Sequence, residues 1–147
     1  MGPVMPVDFS VRTAREEDAA SIRRLLAEWL DQPIPRRDSL RRAIRRKEVL
    51  VAEDGNGVVG FLHQALREDI IDGSPNAFIT ALYVDADHRN SGIGTALIEE
   101  AMTRAKRAGV TRAEISTTSA KARRFYRRHR FRHHPREVIL ERNLVAY

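Results

Sequence analysis

The segment whose residue types point most clearly to chemistry runs Arg89-Asn90-Ser91-Gly92-Ile93-Gly94-Thr95, between a predicted strand and a predicted helix. The first N–H groups of a helix lack carbonyl partners inside it, and the helix dipole adds partial positive charge there. Glycines at such a position let an anion approach the backbone closely. The segment is therefore predicted to bind a phosphate or pyrophosphate group.

Two other phosphate-binding motifs are excluded by spacing. A P-loop requires Lys followed by Ser or Thr directly after its last glycine, whereas Thr95 and Ala96 follow Gly94. A dinucleotide-binding fingerprint requires a third small residue at position 97, which is occupied by Leu97. The segment therefore fits neither of these nucleotide-binding motifs.

The elements that must position this segment follow from the apolar periodicity around it. Residues 78–84 form the strongest strand pattern in the chain, residues 91–108 carry an apolar stripe at helical spacing, and residues 112–117 alternate as a strand does. Gly109 stands where helices commonly end. Together they predict a βαβ unit with parallel strands and a right-handed crossover.

The rest of the chain predicts a mixed sheet with helices on both faces. Strands are predicted at 7–13, 49–52, 58–66, 78–84, 112–117, around Phe131 and at 138–144, and helices at 16–30, 39–46, 91–108 and 120–128. A tight turn at 54–57 joins the second and third strands as a hairpin. The resulting order, β-α-α-β-β-β-α-β-α-β-β, is typical of the α/β class or of an α+β mixed sheet.

Length and composition predict one globular domain. The 147 residues are 42% hydrophobic and 31% charged, so residues 1–147 are expected to form a single domain with residues 1–6 as a flexible extension. The absence of cysteine excludes disulfides, a Cys-ligated zinc site and a cysteine nucleophile. No apolar run approaches the roughly 18 residues of a membrane span, so the cytoplasm is the expected compartment.

The net charge of +6 leaves two interpretations open. A basic face built from the clusters at 36–47 and 123–132 would bind nucleic acid phosphates. The arginines are spread over several predicted helices, which is more typical of solvated helix faces and favours the second interpretation. The five histidines follow no chelating spacing, so no metal site is predicted.

Two segments together resemble the GNAT family of N-acetyltransferases. Arg89, Gly92 and Gly94 match the family signature Q/R-x-x-G-x-G/A. The run Leu82-Tyr83-Val84 ends the preceding strand as it does in the family. Because the similarity extends from the first strand to the last, it covers essentially the whole chain.

The segment near the C-terminus is also similar to the family pattern A-x-x-F-Y-x-x-x-G-F. The matching residues are Ala122, Phe125, Tyr126 and Phe131. The chain departs from the family at Asn90, Ser119 and Arg130, where relatives often have glycine, asparagine and glycine. Asparagine tolerates left-handed backbone geometry and serine can cap a helix, whereas Arg130 puts the local turn geometry in question.

The resemblance implies a GNAT acyl-CoA N-acyltransferase fold with acetyl-CoA as cofactor, held between the splayed strands that end near Val84 and Thr117. Backbone groups at the end of the first of these strands would hold the pantetheine and polarise the thioester carbonyl, and residues 90–95 would hold the pyrophosphate. The residues implied to contact the cofactor are Leu82, Tyr83, Val84, Arg89, Asn90, Ser91, Gly92, Ile93, Gly94, Thr95, Ser119, Ala122, Phe125 and Tyr126. Tyr126 is implied as the catalytic acid that protonates the departing thiolate.

The acceptor amine is not identified by the sequence. The family places its site at segments corresponding to residues 29–37 and 67–76, which contain Trp29, Asp69 and Asp72 as candidate contacts for a small cationic amine or a peptide amine. Homodimers are common in the family, and the sequence does not show whether this chain forms one.

The group that takes the amine's proton is missing from its usual place. Many relatives carry a glutamate where this chain has Thr80, followed by Ala81, and neither side chain is a base at neutral pH. The proton is therefore expected to leave through water toward Glu68, Asp69 or His63, or else the neutral amine binds directly. Replacement of Thr80 is then expected to cost little.

Three functions remain open from the sequence. The chain is interpreted as an enzyme that transfers the acetyl group of acetyl-CoA directly to a primary amine in a ternary complex. The alternatives are a basic nucleic-acid-binding module and an acyl-CoA-binding regulator without catalytic activity. Binding of acetyl-CoA separates the first and third functions from the second.

Overall fold

The computed structural model describes residues 8–31 and 38–145. The chain divides into two compact units, whose described residues are 8–31 with 38–116 and 117–145. The expectation of one domain over residues 1–147 therefore stays a prediction. The extension predicted at residues 1–6 lies outside the described residues, as do residues 32–37 of the predicted acceptor segment.

The first unit is a sheet with helices on both faces. Its elements are β1 (Ser10–Thr13), a 3-10 turn (Glu16–Asp18), α1 (Ala19–Leu30), α2 (Ser39–Arg45), β2 (Val49–Asp54), β3 (Gly57–Glu68), β4 (Pro75–Val84), a second 3-10 turn (Ala86–His88), α3 (Ile93–Arg107) and β5 (Arg112–Ile115). In the described residues they form one five-stranded sheet in the order β1-β2-β3-β4-β5. Strands β1 to β4 are antiparallel neighbours, and β4 and β5 are parallel. The predicted mixed sheet and its βαβ unit are confirmed.

The two faces of the sheet are covered by different helices. On one face Val49 and Phe61 pack in a single buried cluster with Ile22 and Leu25 of α1 and with Ile44 of α2. The other face receives α3, whose side chains approach β3 at Gly60. A Cβ built on Gly60 would lie 3.3 Å from Ile93 Cγ2 and 3.4 Å from Leu97 Cδ1. A larger residue at position 60 would therefore hold α3 away from the sheet.

The second unit contains α4 (Ala120–Arg128), as predicted, but residues 129–145 form no strand. The strands predicted around Phe131 and at 138–144 are therefore wrong for the part of the chain that the structure describes. The Phe131 N–H donates to the carbonyl oxygen of Tyr126 at 3.0 Å and so completes the end of α4 instead of a strand ladder. Ile139 and Leu140 are 81% and 91% exposed, so burial does not fix a strand there.

A network of charged side chains ties β1 to the start of α1 and to β2. The Arg12 guanidinium donates to both carboxylate oxygens of Asp18, at 2.7 and 2.9 Å, and to both of Glu53, at 2.9 and 3.0 Å. Asp18 is buried and also accepts the Arg15 N–H at 2.7 Å. The hydrogen bonds from Arg12 hold the pKa of Asp18 below its usual value.

We expect Asp18→Asn to lower the free energy of unfolding at pH 7 by about 1–2 kcal/mol, because it weakens charge-assisted hydrogen bonds at a buried site. A lowered folded-state pKa contributes stability above the unfolded pKa, about 3.9 for Asp, and loses it as the pH falls through the folded value. The difference between wild type and variant should therefore shrink in acid. Urea melts between pH 2 and 7 measure it, with Glu16→Gln of the exposed Arg45 ion pair as a control that should change little. A pH-independent difference would refute the electrostatic origin.

Candidate functional site

Strand β5 leaves β4 part of the way along the sheet. The two strands pair from Asn76–Arg112 to Ile79–Ile115, and β4 then continues to Val84 bound only to β3. The backbone groups of residues 80–84 that face the β5 side therefore pair with no strand of the described sheet. Backbone N–H and C=O groups need partners, so this edge is suited to bind an extended polar chain.

A β-bulge lies at the point where the two strands separate. His63 pairs with Ala81 and Gln64 with Ile79, so Thr80 is an extra residue in β4. Bulges bend a strand and redirect side chains. Here the bulge follows Ile79, the last residue of β4 that pairs with β5.

The ring of Tyr83 is fixed by α1. Its hydroxyl donates to Glu28 Oε1 at 3.0 Å, and the same oxygen accepts the Ala86 N–H at 3.3 Å. The Trp29 ring stacks on Tyr83 with 5.5 Å between centroids. Burial and the Glu28 carboxylate raise the pKa of Tyr83, so the phenol stays neutral. The predicted contacts Trp29 and Tyr83 thus lie together, and Glu28 is a residue that sequence reasoning missed.

The loop between β4 and α3 is held by its own side chains. Asp85 accepts the Asp87 N–H at 3.0 Å, and His88 Nε2 lies 3.1 Å from Asp54 Oδ2 in the β2–β3 hairpin. The Ser91 hydroxyl donates to the His88 carbonyl oxygen. These contacts therefore fix the conformation of the loop that precedes α3.

The predicted anion-binding segment has the backbone that its chemistry requires. Asn90 and Gly92 both have left-handed conformations, with φ of 62° and 85°. The Ala96 N–H makes the first bond of α3, to the Gly92 carbonyl oxygen at 3.0 Å, so the N–H groups of Ile93 and Gly94 precede the helical ladder. A Cβ on Gly92 would have no protein atom within 4 Å. The space beside Gly92 is therefore open to a phosphate.

Arg89 lies beside the end of β4. Its guanidinium carbon is 5.4 Å from the centre of the Tyr83 ring, and its Nε donates to the Val84 carbonyl oxygen at 3.4 Å. The side chain is exposed. A long exposed guanidinium next to the open N-terminus of α3 is available to an anion.

In the second unit, hydrogen bonds at both ends of α4 define the predicted catalytic helix. The Ser119 Oγ accepts the Ala122 N–H at 3.2 Å, which confirms Ser119 as its cap. At the other end Arg130 has a φ of 71°, a left-handed value that glycine adopts more readily than arginine does. Tyr126 and Phe131 contact edge to face with 5.7 Å between centroids.

These contacts hold the Tyr126 phenol in a buried position. The Tyr126 ring also meets that of Phe125, with 5.3 Å between centroids. Burial raises the pKa of Tyr126 to about 12. The phenol is therefore protonated throughout the neutral range and can serve as a proton donor.

The predicted acceptor contacts in the β3–β4 connection have local structural roles. Asp69 Oδ1 accepts the Ile71 N–H at 2.7 Å, and Asp72 Oδ1 accepts the N–H and hydroxyl of Ser74 at 2.9 and 2.6 Å. The hydrogen bonds from Ser74 lower the pKa of Asp72. Both carboxylates shape the turn, and no described contact joins either of them to Trp29.

Of the three predicted proton acceptors, His63 is the one that contacts Thr80. Its Nδ1 is hydrogen-bonded to the Thr80 hydroxyl, and its Nε2 lies 3.0 Å from Glu48 Oε1. Glu48 is a second residue that sequence reasoning missed. Local sequence does not join the two residues, because the pairing of Val49 with His63 depends on an extra residue in β3.

In the described residues no helix is both long and apolar enough to cross a membrane. The same ranges contain no group of three or more His, Asp or Glu side chains placed to hold a metal ion.

Comparison with known proteins identifies the family. The sequence profile of the acetyltransferase (GNAT) family matches residues 14–131. The chain is 29% identical over 109 residues to an aminoglycoside N(6')-acetyltransferase type 1 of Acinetobacter genomosp. 13, with 70% of each chain covered. The structure of an aminoglycoside acetyltransferase from an uncultured soil metagenomic sample is similar with a TM-score of 0.77 and 23% identity, over 93% of this chain and 97% of the other. The structure of a Trypanosoma brucei acetyltransferase is similar with a TM-score of 0.76 and 24% identity, over 91% of this chain and 99% of the other.

The chain belongs to the acetyltransferase (GNAT) family. It is an acetyl-CoA-dependent acetyltransferase with acetyl-CoA as its co-substrate, as the resemblance implied. The open edge of β4 and the N-terminus of α3 fit such a molecule, because one offers unpaired backbone groups and the other offers N–H groups to a phosphate.

We expect Gly92→Ala to weaken acetyl-CoA binding by about tenfold or more, because a methyl group at this φ distorts the backbone that is predicted to contact the pyrophosphate. Gly109→Ala is the matched control. Gly109 has a φ of 82°, ends the same helix, and would likewise have no atom within 4 Å of an added Cβ. Both variants should lose about 1 kcal/mol of stability, and calorimetric titration should show weaker binding for Gly92→Ala alone. Equal affinities would remove the phosphate from this segment.

Proposed function

We propose that this enzyme transfers the acetyl group of acetyl-CoA directly to a primary amine in a ternary complex. The observation that carries the proposal is the sequence of two features along one stretch of chain: the open edge of β4 at residues 80–84, followed by the left-handed turn into α3. The first suits a pantetheine chain with its thioester, and the second suits its pyrophosphate.

The open edge of β4 has a further chemical role in this proposal. Backbone N–H groups near Leu82, Tyr83 and Val84 would donate to the thioester carbonyl and stabilise negative charge as the amine attacks. Such donors are effective because the sheet holds them in place before the reaction. Arg89 would pair with the pyrophosphate, and its salt-sensitive contribution should grow at low ionic strength.

Tyr126 is proposed as the acid for the departing thiolate. Two observations support this role: its place in a segment similar to the family pattern and its fixed position between Phe125 and Phe131. Ser119 and Ala122 are also implied as cofactor contacts. They would contact the cofactor at the capped N-terminus of α4.

The acceptor is proposed to be a small cationic amine or a peptide amine. One curated relative is named an aminoglycoside N(6')-acetyltransferase, and a structural relative, Arabidopsis thaliana Naa50, is in complex with a bisubstrate analogue that contains the peptide MVNAL. Trp29, with 41% of its surface exposed, offers an aromatic face for a cation beside Tyr83. Asp69 and Asp72 are further candidates on the β3–β4 connection.

Release of free CoA thiol tests the proposal. Purified enzyme with acetyl-CoA is offered sisomicin, glucosamine-6-phosphate and an N-terminal Met-Val peptide, and the acetylated product is identified by mass. Acetylation of an amine at a rate above that in buffer alone supports the enzyme. Thermal stabilisation by acetyl-CoA without transfer to any of these and a wider amine panel would favour the regulator, and stabilisation by nucleic acid alone would favour the binding module.

We expect Tyr126→Phe to lower kcat by about 10²-fold while acetyl-CoA affinity stays within about twofold, because the ring remains and only the proton donor is lost. The folded-state pKa is raised, so the hydroxyl contributes stability that is complete below the ordinary value of about 10 and is lost as the pH rises toward the folded value. The variant should therefore lose less stability than wild type in that alkaline range. Unchanged kcat would leave Tyr126 as a core residue.

A further inference from the structure

Glu48, His63 and Thr80 form a continuous hydrogen-bonded chain across three neighbouring segments. Glu48 precedes β2, His63 lies on β3 and Thr80 is the bulged residue of β4. The two ring nitrogens of His63 make the two contacts, one to the Glu48 carboxylate at 3.0 Å and one to the Thr80 hydroxyl. The His63 and Glu48 side chains are 25% and 21% exposed, whereas Thr80 faces solvent.

Hydrogen-bond chemistry determines which group donates and which accepts in each of these two contacts. A carboxylate can only accept, so the His63 Nε2 must carry the proton that lies between it and Glu48. A neutral imidazole then has its lone pair on Nδ1, where it accepts the proton of the Thr80 hydroxyl. The hydroxyl oxygen keeps lone pairs directed away from His63. In an oriented carboxylate, imidazole and hydroxyl of this kind, the imidazole can take the hydroxyl proton. A hydroxyl oxygen that gives up its proton can accept one from a neighbouring group.

This series of hydrogen bonds ends at Thr80, where the reaction is proposed to occur. Thr80 is the first residue of β4 beyond Ile79, the last position that pairs with β5. His63 and Phe61 point to the same face of β3, and Phe61 belongs to the buried cluster that includes Tyr83. The hydroxyl therefore lies at the separation of the strands, on the face of the sheet that also carries Tyr83 and Trp29.

We propose that Thr80, His63 and Glu48 form a proton relay that deprotonates the attacking amine, an inference that rests on the proposed function. The ammonium form of the amine gives one proton to the Thr80 oxygen, which leaves a lone pair on the nitrogen. That nitrogen then bonds to the acetyl carbon, the carbon–sulfur bond breaks, and the second proton lost from nitrogen passes to solvent. The Thr80 proton moves to His63 Nδ1, and Glu48 stabilises the imidazolium. The thiolate takes its proton from Tyr126, and solvent later removes the proton of His63 and restores Tyr126.

The relay assigns different roles to the other charged groups of this face. Glu48 is the charged group in hydrogen-bond contact with His63, and Glu28 is engaged by the Tyr83 hydroxyl. The Arg67 guanidinium of β3 lies over the Phe78 ring of β4, 4.2 Å from its centre. The sequence predicts that Thr80 is dispensable, whereas in the relay its hydroxyl is the group that contacts the substrate.

Matched variants test the relay with the amine that wild type acetylates fastest among sisomicin, glucosamine-6-phosphate and the Met-Val peptide. Thr80→Val and His63→Gln should each lower kcat/KM by about 10²-fold with acetyl-CoA affinity within about twofold. The double variant should be no worse than either single variant, because the groups act as a unit. Thr80→Ser should retain most of the activity, and Thr103→Val on exposed α3 should be neutral.

The pH profile adds a readout that a structural role would not move. Wild type should lose kcat/KM in acid because the relay needs a neutral imidazole. In His63→Gln the rate should instead climb toward the pKa of the amine, about 10 for an alkylamine. Glu48→Gln should lower kcat/KM while acetyl-CoA affinity stays within about twofold, because the carboxylate that stabilises the imidazolium is lost. A pH profile of His63→Gln identical to that of wild type would overturn the relay.

Two arms separate failure of the relay from failure of the proposed function. If wild type acetylates an amine and Thr80→Val is equally active, the relay is wrong and the function stands. Nitrogen NMR of the His63 ring works even without a substrate: the relay requires a proton on Nε2 and a change at Nδ1 in Thr80→Val, and the opposite tautomer would overturn it. Acetylation of Thr80 by acetyl-CoA alone, seen by mass spectrometry, would also overturn it in favour of a covalent route.

Discussion

Strand β5 leaves β4 after Ile79, and the rest of the site depends on that separation. Beyond it, one edge of β4 has backbone groups that pair with no strand among the described residues, which is costly unless something else pairs with them. The bulge at Thr80 lies at the same point and gives β4 its own course to Val84. The loop that follows then enters α3 at Gly92, so the open edge and the helix N-terminus are consecutive along the chain.

Two non-glycine residues adopt a backbone conformation that glycine favours. Asn90 and Arg130 stand where relatives often have glycine, and both have left-handed φ values, 62° and 71°. Left-handed geometry costs a non-glycine residue about 1 kcal/mol, and the cost is larger for a residue such as arginine than for asparagine. At Arg130 the hydrogen bond from Phe131 to Tyr126 and the contact of their rings offset that cost. The surrounding hydrogen bonds, more than the residue itself, determine the turn.

The sequence predicts the features that depend on local periodicity and helix caps. It does not predict strand register or bulges, because these depend on the partner strand. The hairpin, the Ser119 cap and the left-handed Gly109 follow from local residue types. Counting back from the turn places Val49 opposite Leu62, whereas an extra residue in β3 moves it opposite His63, so the neighbouring Glu48 could not be assigned to His63. The bulge at Thr80 is equally invisible. The final strands, predicted around Phe131 and at 138–144, have no partner strand in the sequence-based prediction.

Amide hydrogen exchange with and without acetyl-CoA tests the central claim that the separated strand and the turn into α3 together hold the co-substrate. Saturating acetyl-CoA should slow exchange at Ile93, at Gly94 and at those N–H groups of residues 80–84 that face the β5 side, because these groups gain acceptors, while β1 exchanges at an unchanged rate. Saturable binding that leaves these N–H groups unchanged, and slows exchange elsewhere, would contradict it.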